Sequence, residues 1–298
     1  MSLDDSNHAK GLLLTAIGGL ALTVDIPLIK LADGDVWSIL LVRTGMTLAA
    51  TFLIWSAWRA IRGRAPALIP GRYGLAVAFF YGLTSLCFIS AVFHTSTANL
   101  VFIVAFSTVF ASILSWLFLK ERPRNATLLA MAAMIVGIAI IVSDGIEAGR
   151  LFGDLLALMA AFFLACAITV SRRSGKEMGF TSLIAVVLPF AVALVMVLPN
   201  GLSIEAPWWI VLNGAIVMPI SFFCLATGPR YLSGPEVAMF YLLETVLAPI
   251  WVWIIFSETP TTRTLIGGTI LVAALLAHSC WQLYQGRRRR LVAMRAPA

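Results

Sequence analysis

Ten stretches of mainly apolar residues, each close to the length of about twenty that a helix needs to cross a bilayer, occupy almost the whole chain. They cover roughly 11–31, 36–58, 73–93, 96–119, 126–143, 153–171, 180–198, 208–228, 233–256 and 262–283. The connections between them are short, which packs consecutive helices antiparallel and leaves no room for a separate extramembrane domain. Hydrophobic residues make up 60% of the sequence, charged residues 12%, and mean hydropathy is +0.96. A soluble domain with this little charge could not clothe its exterior, so lipid is the solvent for most of the surface. The first run is too long, and lacks a small-residue cleavage site, for a signal peptide, and it reads as a first spanning helix.

A net charge of +7 could point to nucleic acid, but the basic residues fall in clusters between apolar runs, not among aromatics on one face. One set of connections holds Lys10, Arg59, Arg62, Arg64, Arg72, Lys120, Arg122, Arg124, Arg172, Arg173, Lys176, Arg230, the run 287–290 and Arg295. The other set holds Arg150 and Arg263 among Asp33, Asp35, Asp144, Glu147, Asp154, Glu205 and Glu258. Basic loops stay in the cytoplasm, so ten spans with both termini cytoplasmic are expected, in a bacterial inner membrane. Trp37, Trp55, Trp58, Trp208 and Trp209 cluster at span ends as an interfacial belt, and the 287–290 run would touch anionic lipid headgroups. Cys87, Cys166, Cys224 and Cys280 sit singly in apolar runs and read as free thiols.

The chain also matches itself at a shift of 137 residues. Glu121 and Pro123 align with Glu258 and Pro260, Trp116 with Trp253, Thr108 with Thr245, Thr127 with Thr264 and Cys87 with Cys224. Each half carries five spans, an odd number, so the halves cross the membrane in opposite senses. The expected organisation is a first five-helix repeat over 1–147, a second over 148–286, and a basic tail over 287–298. Inverted repeats serve secondary transporters, which need two exchangeable states around one site.

The segment 91–100, continuing through Ser107, Thr108, Val109 and Phe110 to Trp116-Leu-Phe-Leu-Lys-Glu-Arg-Pro123, resembles the drug/metabolite transporter superfamily, specifically its EamA-type branch. Its second-repeat counterpart runs from Pro249 to Pro260, and Arg43 matches an arginine common in the second helix of that group. The resemblance implies ten helices in two inverted repeats and a metabolite carrier, often an exporter. The bacterial aromatic amino-acid exporters of that branch are the nearest comparison. In one place the repeats differ: the second has Arg230 and Glu236 where the first has Phe93 and Asn99.

Ionisable groups inside spans are costly and so mark candidate sites. Glu244 lies near the middle of the ninth span, where it would bind a substrate ammonium, carry a proton, or remain a packed protonated carboxyl. Asp25 and Arg43 lie at similar depths in the first two spans, and a structural ion pair is the favoured reading. Lys30 is close enough to its span end to snorkel. Three stripes could line a mainly apolar pocket: Tyr81, Ser85 and Phe88; Ser96, Asn99, Ile103 and Ser107; and Tyr241, Glu244 and Thr245. The alternative for each polar member is helix–helix adhesion. Pro27, Pro219, Pro235 and Pro249 are candidate hinges, and His94 is either a gate residue or an interfacial one. There is no phosphate-binding loop, metal-ligand cluster, nucleophile motif or cofactor motif. The expected partners are a small-molecule substrate and lipid, with the chain a monomer or homodimer. An intramembrane enzyme, a channel and a scaffold are the alternatives.

Overall fold

Residues 3–63, 67–176, 178–227, 231–232 and 234–295 are described by the structure, a computed structural model. The chain forms ten membrane-spanning helical segments. The first comprises α1 (Leu3–Leu22) and α2 (Asp25–Leu31); the second is α3 (Val36–Arg62), and the third α4 (Gly71–His94). The fourth comprises α5 (Thr97–Ala105) and α6 (Ser107–Leu119); α7 (Asn125–Glu147) and α8 (Leu151–Ser174) are the fifth and sixth. The seventh comprises α9 (Gly179–Ile184) and α10 (Val187–Val197). The eighth runs through α11 (Pro207–Leu212), a π-helical turn (Asn213–Val217) and α12 (Met218–Thr227). The ninth is α13 (Gly234–Phe256) and the tenth α14 (Thr262–Arg295). The expected tail therefore continues α14 through Arg295, and 296–298 lie outside the described residues.

Proline places three of the irregularities. A proline ring collides with the carbonyl four residues earlier and supplies no amide hydrogen. For Pro27, Pro189 and Pro219 those carbonyls belong to Thr23, Ala185 and Ala215, and there the first span breaks, the seventh breaks and the eighth widens to a π turn. Pro235 and Pro249 do not interrupt the ninth span as expected. Pro235 is the second residue of α13, where an amide has no partner to lose, and α13 continues through Pro249. The break at Phe106 has no proline. There the Phe106 amide bonds back three residues to Ile103 (3.0 Å), and the Thr108 hydroxyl donates to the Ala105 carbonyl (3.0 Å).

Packing between helices follows the inverted repeat. When each span is exchanged for the one five places away, the third–sixth pair becomes eighth–first, fourth–sixth becomes ninth–first, and second–eighth becomes seventh–third; all these pairs are in contact. The second and seventh, fourth and ninth, and fifth and tenth spans pack on their own counterparts. This pattern is consistent with a pseudo-two-fold axis in the membrane plane. Such close approach between α7 and α14 requires glycine: a β-carbon on Gly267 would stand 2.6 Å from the Gly137 carbonyl oxygen. Leu53, Leu117, Leu129 and Leu198 face outward, as a lipid-solvated surface demands.

The two ends of the bundle differ. At the acid-rich end, the first and fourth connections of the chain's outer set are clipped together. Asp35 donates to the Ser203 carbonyl (3.1 Å), Glu205 to that of Asp33 (2.8 Å), and Ala206 to that of Ala32 (3.0 Å), all through backbone amides. The Asp35 carboxylate also caps α3 by accepting from Trp37 and Ser38 amides (2.9 and 3.1 Å).

Replacing Gly267 by Leu should separate α7 from α14 and cost about 1–3 kcal/mol, the usual range for an overpacked contact. Thermal unfolding in detergent micelles would register this as a lowered midpoint. A change of the same size at exposed Leu129→Ala should leave the midpoint within experimental scatter.

Candidate functional site

The site grows from two interrupted helices. Breaking the first span at Thr23–Val24 frees backbone groups in the hydrocarbon layer and starts α2 at Asp25. Breaking the regular ladder of the eighth span places Asn213 at the head of the π turn. Arg43 of α3 lies between them. Its Nη2 donates to both Asp25 oxygens (3.0 and 2.9 Å) and its Nε donates to Asn213 Oδ1 (3.0 Å). Asn213 Nδ2 closes the triangle, donating to Asp25 Oδ1 (2.7 Å) and the Asp25 carbonyl (3.2 Å). All three side chains are buried. Gly214 lets α3 come this close: a β-carbon there would lie 2.3 Å from the Arg43 carbonyl oxygen. Asn213 had no recognisable signal in the sequence, because asparagine among apolar residues reads equally as helix adhesion.

Glu244 stands beside this triangle. It interacts electrostatically with Asp25 and Arg43, yet it has no hydrogen bond or ion pair among the described residues. Tyr241, one turn earlier on α13, interacts with Glu244 and, across from α4, with Tyr81. Tyr241 is 43% exposed although protein surrounds it, and Tyr81 and Glu244 are partly exposed under the same enclosure. These three groups are thus enclosed yet partly reachable, gathered beside the Asp25–Arg43–Asn213 triangle. Ser85, four residues beyond Tyr81 on α4, carries a buried hydroxyl without a hydrogen-bond partner. Phe88 packs at the edge of the core, and Thr245 and Ser107 are buried near the middles of their spans.

Other expected pocket residues are placed elsewhere. Asn99 and Ile103 are fully buried, and the Asn99 amide points into a separate polar cluster toward the acid-rich end. There Thr264 donates to Asn99 Oδ1 (2.7 Å), Asn99 Nδ2 donates to Asp154 (3.4 Å), and Thr95 donates to Asp154 (2.5 Å). Arg150 pairs with Asp144 at 3.2 Å in the same cluster. Grouped with the loop charges in the sequence, Asp144 and Asp154 are in fact buried: α7 continues past its apolar run through Asp144, and Asp154 lies in the first turn of α8. His94 is exposed and set edge-on to Phe152, with Nδ1 donating to the Ser90 carbonyl (2.7 Å). Lys30 does not snorkel to water; it pairs with Glu258. Glu236 meets His8 at 3.0 Å, and Arg230 lies outside the described residues.

Ten spans, repeat-consistent packing and broken helices that gather buried polar groups within the bundle are the architecture of a membrane transporter. The chain belongs to the EamA-like transporter family, whose model matches residues 9–143 and 151–279. It is similar to an uncharacterized transporter of Synechocystis sp., at 26% identity, over 61% of this chain and 58% of that protein. It is also similar to an uncharacterized transporter of Archaeoglobus fulgidus (24% identical; 70% and 76% covered). A third relative is the pseudopaline exporter CntI of Pseudomonas aeruginosa (25% identical; 65% and 69% covered). Among solved structures, one crystal structure shares the fold at 17% identity with a TM-score of 0.63, covering 91% of this chain and 97% of that one. The protein is thus a multi-pass integral membrane transporter.

Removing one member of a buried pair leaves the other charge without compensation. Arg43→Ala should therefore cost about 3–5 kcal/mol, whereas the double variant Asp25→Asn with Arg43→Gln should recover most of that loss. Denaturant titration of both in micelles is the check, and equal losses in the two would contradict a paired role.

Proposed function

We propose that this transporter exports amino acids or closely related zwitterions by alternating access, holding the substrate between α4 and α13 at the bilayer midplane. The observation that carries the reading is the unmatched carboxylate of Glu244. Arg43 is already paired with Asp25, so Glu244 is the one acidic group left unmatched there, and a solute bearing an ammonium group would suit it. Tyr81 and Tyr241 add two aromatic faces beside that group, which suit a cation or an aromatic side chain. The orphan hydroxyl of Ser85 offers a donor or acceptor to the substrate's polar end. α4 and α13 face one another through Tyr81 and Tyr241 without extensive packing among the described residues, which leaves room for a solute between them.

Export agrees with the name of the Pseudomonas aeruginosa relative, and the charge bias of the loops supports cytoplasmic termini. Aromatic amino acids are the first substrates to try, given the two phenols and the resemblance described above.

The test is uptake of labelled amino acids into proteoliposomes holding the purified chain, with and without an imposed proton gradient. Saturable uptake that unlabelled amino acids compete away is expected. Glu244→Gln should lower it about tenfold or more while the protein elutes as before. Tyr241→Phe should retain most of the flux, because the aromatic face survives. An absence of flux for every amino acid would overturn the substrate class. Full activity of Glu244→Gln would remove Glu244 from the site.

A further inference from the structure

The shift of 137 residues seen in the motifs recurs in the backbone. Among the described residues only three that are not glycine have positive φ: Asp33, Lys120 (58°) and Ser257 (56°). Lys120 and Ser257 are equivalent under the shift, they end α6 and α13, and each is followed by a glutamate, Glu121 or Glu258. Thr97 and Gly234, where α5 and α13 begin, are equivalent in the same way. Two matching turns at opposite ends of the bundle thus launch two matching carboxylates.

The two carboxylates are engaged differently. Glu258 reaches across from α13 to the other repeat. Its Oε1 accepts from the Thr97 amide at the start of α5 (2.7 Å), and its Oε2 pairs with Lys30 at the end of α2. A carboxylate on a helix N-terminus is favoured by the free amides and by the dipole. Glu121 instead accepts from Arg172 at the end of α8 (3.2 and 2.9 Å), whose Nη1 also donates to Ser115 (3.0 Å). Lys30 and Arg172 end the first and sixth spans, which are counterparts, so each glutamate has its basic partner in the equivalent place. The Lys30–Glu258 pair is half-buried, at 21% and 28% exposure, while Arg172 and Glu121 are 53% and 54% exposed.

Packing differs in the same sense. Near the acid-rich end α13 packs on α5 and α2, whereas toward the basic end α6 packs on α8 and makes no comparable contact with α13 among the described residues. Surface clefts lie at both ends, one of about 420 Å³ around Glu121 and one of about 600 Å³ lined by Lys30, Asp33 and Phe256, so the asymmetry rests on the helix packing and the Thr97 cap.

We propose that Glu258 and Glu121 are the two alternating latches of the transport cycle. Each closes its own face of the membrane by capping the first helix turn of the opposite repeat. Glu258 on Thr97 seals the acid-rich face, and the structure is the state open toward the basic face. In the opposite state Glu258 leaves Thr97, and Glu121 turns from Arg172 to the Gly234 amide at the start of α13. Lys30 and Arg172 are positioning residues that hold each carboxylate near its target.

This rests on the alternating-access reading above, but its test needs no substrate. The full chain, with its four cysteines changed to serine, would carry Tyr241→Cys as a cavity reporter in right-side-out and inverted membrane vesicles. A membrane-impermeant maleimide should label the parent only from the basic face. Glu258→Ala should raise labelling from the acidic face about fivefold or more, since both the cap and the ion pair are lost. Lys30→Gln, which keeps the Thr97 cap, should give a smaller shift in the same direction, and Glu121→Ala should give none. Unchanged labelling in Glu258→Ala, or an equal shift in Glu121→Ala, would overturn the assignment. Loss of transport with the labelling pattern as expected would instead count against the substrate reading.

Discussion

A guanidinium in the hydrocarbon layer is tolerated only when its charge and its donors are both matched, and Arg43 depends on two separate helix breaks for this. Asp25 supplies the charge from the start of α2, and Asn213 supplies an acceptor from the head of the π turn. Those breaks exist because Pro27 and Pro219 reject a continuous ladder. Once the ladder is interrupted, the exposed backbone must be satisfied by side chains or by neighbouring helices. The Thr47 hydroxyl does so at the Gly214 carbonyl (3.0 Å), and the Asn213 amide does so at the Asp25 carbonyl. Arg43 thus ties the first, second and eighth spans at one depth, and the arrangement of the cavity follows from that tie.

The tie also sets the electrostatics of the cavity. Asp25 and Arg43 cancel, so the pair contributes little field at a distance, and Glu244 is the acidic group left without a partner. A cationic group on a solute would satisfy it. The polar cluster of Asp144, Asp154, Asn99, Thr95 and Thr264 follows the opposite logic. Its members satisfy one another almost completely, and it braces the fourth, fifth, sixth and tenth spans near the acid-rich end. In the proposed reading one polar group serves binding and the other serves rigidity, and hydrogen-bond saturation distinguishes them.

Inverted repeats give the molecule two equivalent ends, and its conformation makes them unequal. The same left-handed turn precedes Glu121 and Glu258, and both carboxylates pair with a basic residue of the other repeat, yet only Glu258 also caps the first turn of a helix there. A chain whose halves can exchange these roles needs no large internal rearrangement to move a cavity from one face to the other. In the alternating-access reading proposed above, spans such as α8 and α13 would move as rigid bodies, and the breaks at Val24, Phe106 and Ala185 are where backbone angles would absorb the change.

Much of the architecture is legible in the sequence because hydropathy and charge act locally. Twenty apolar residues must span whatever their neighbours are, and a shared Glu-x-Pro at a constant shift reports the repeat without any structure. The depth match of Asp25 and Arg43 followed from counting residues to the nearest loop. Asn213, Asp154 and Thr264 were not legible, because a polar residue in an apolar run looks the same whether it binds solute, braces a bundle or caps a neighbour. Asn99 shows the difficulty: its helical stripe placed it toward a pocket, but α8 and α14 claim its amide. Sequence by itself determined that this chain crosses the membrane ten times in two opposed halves, since that rests on solvation of each segment. Only the tertiary structure decided which buried polar groups satisfy each other and which, like Glu244, remain open, since that rests on contacts between residues far apart in the chain.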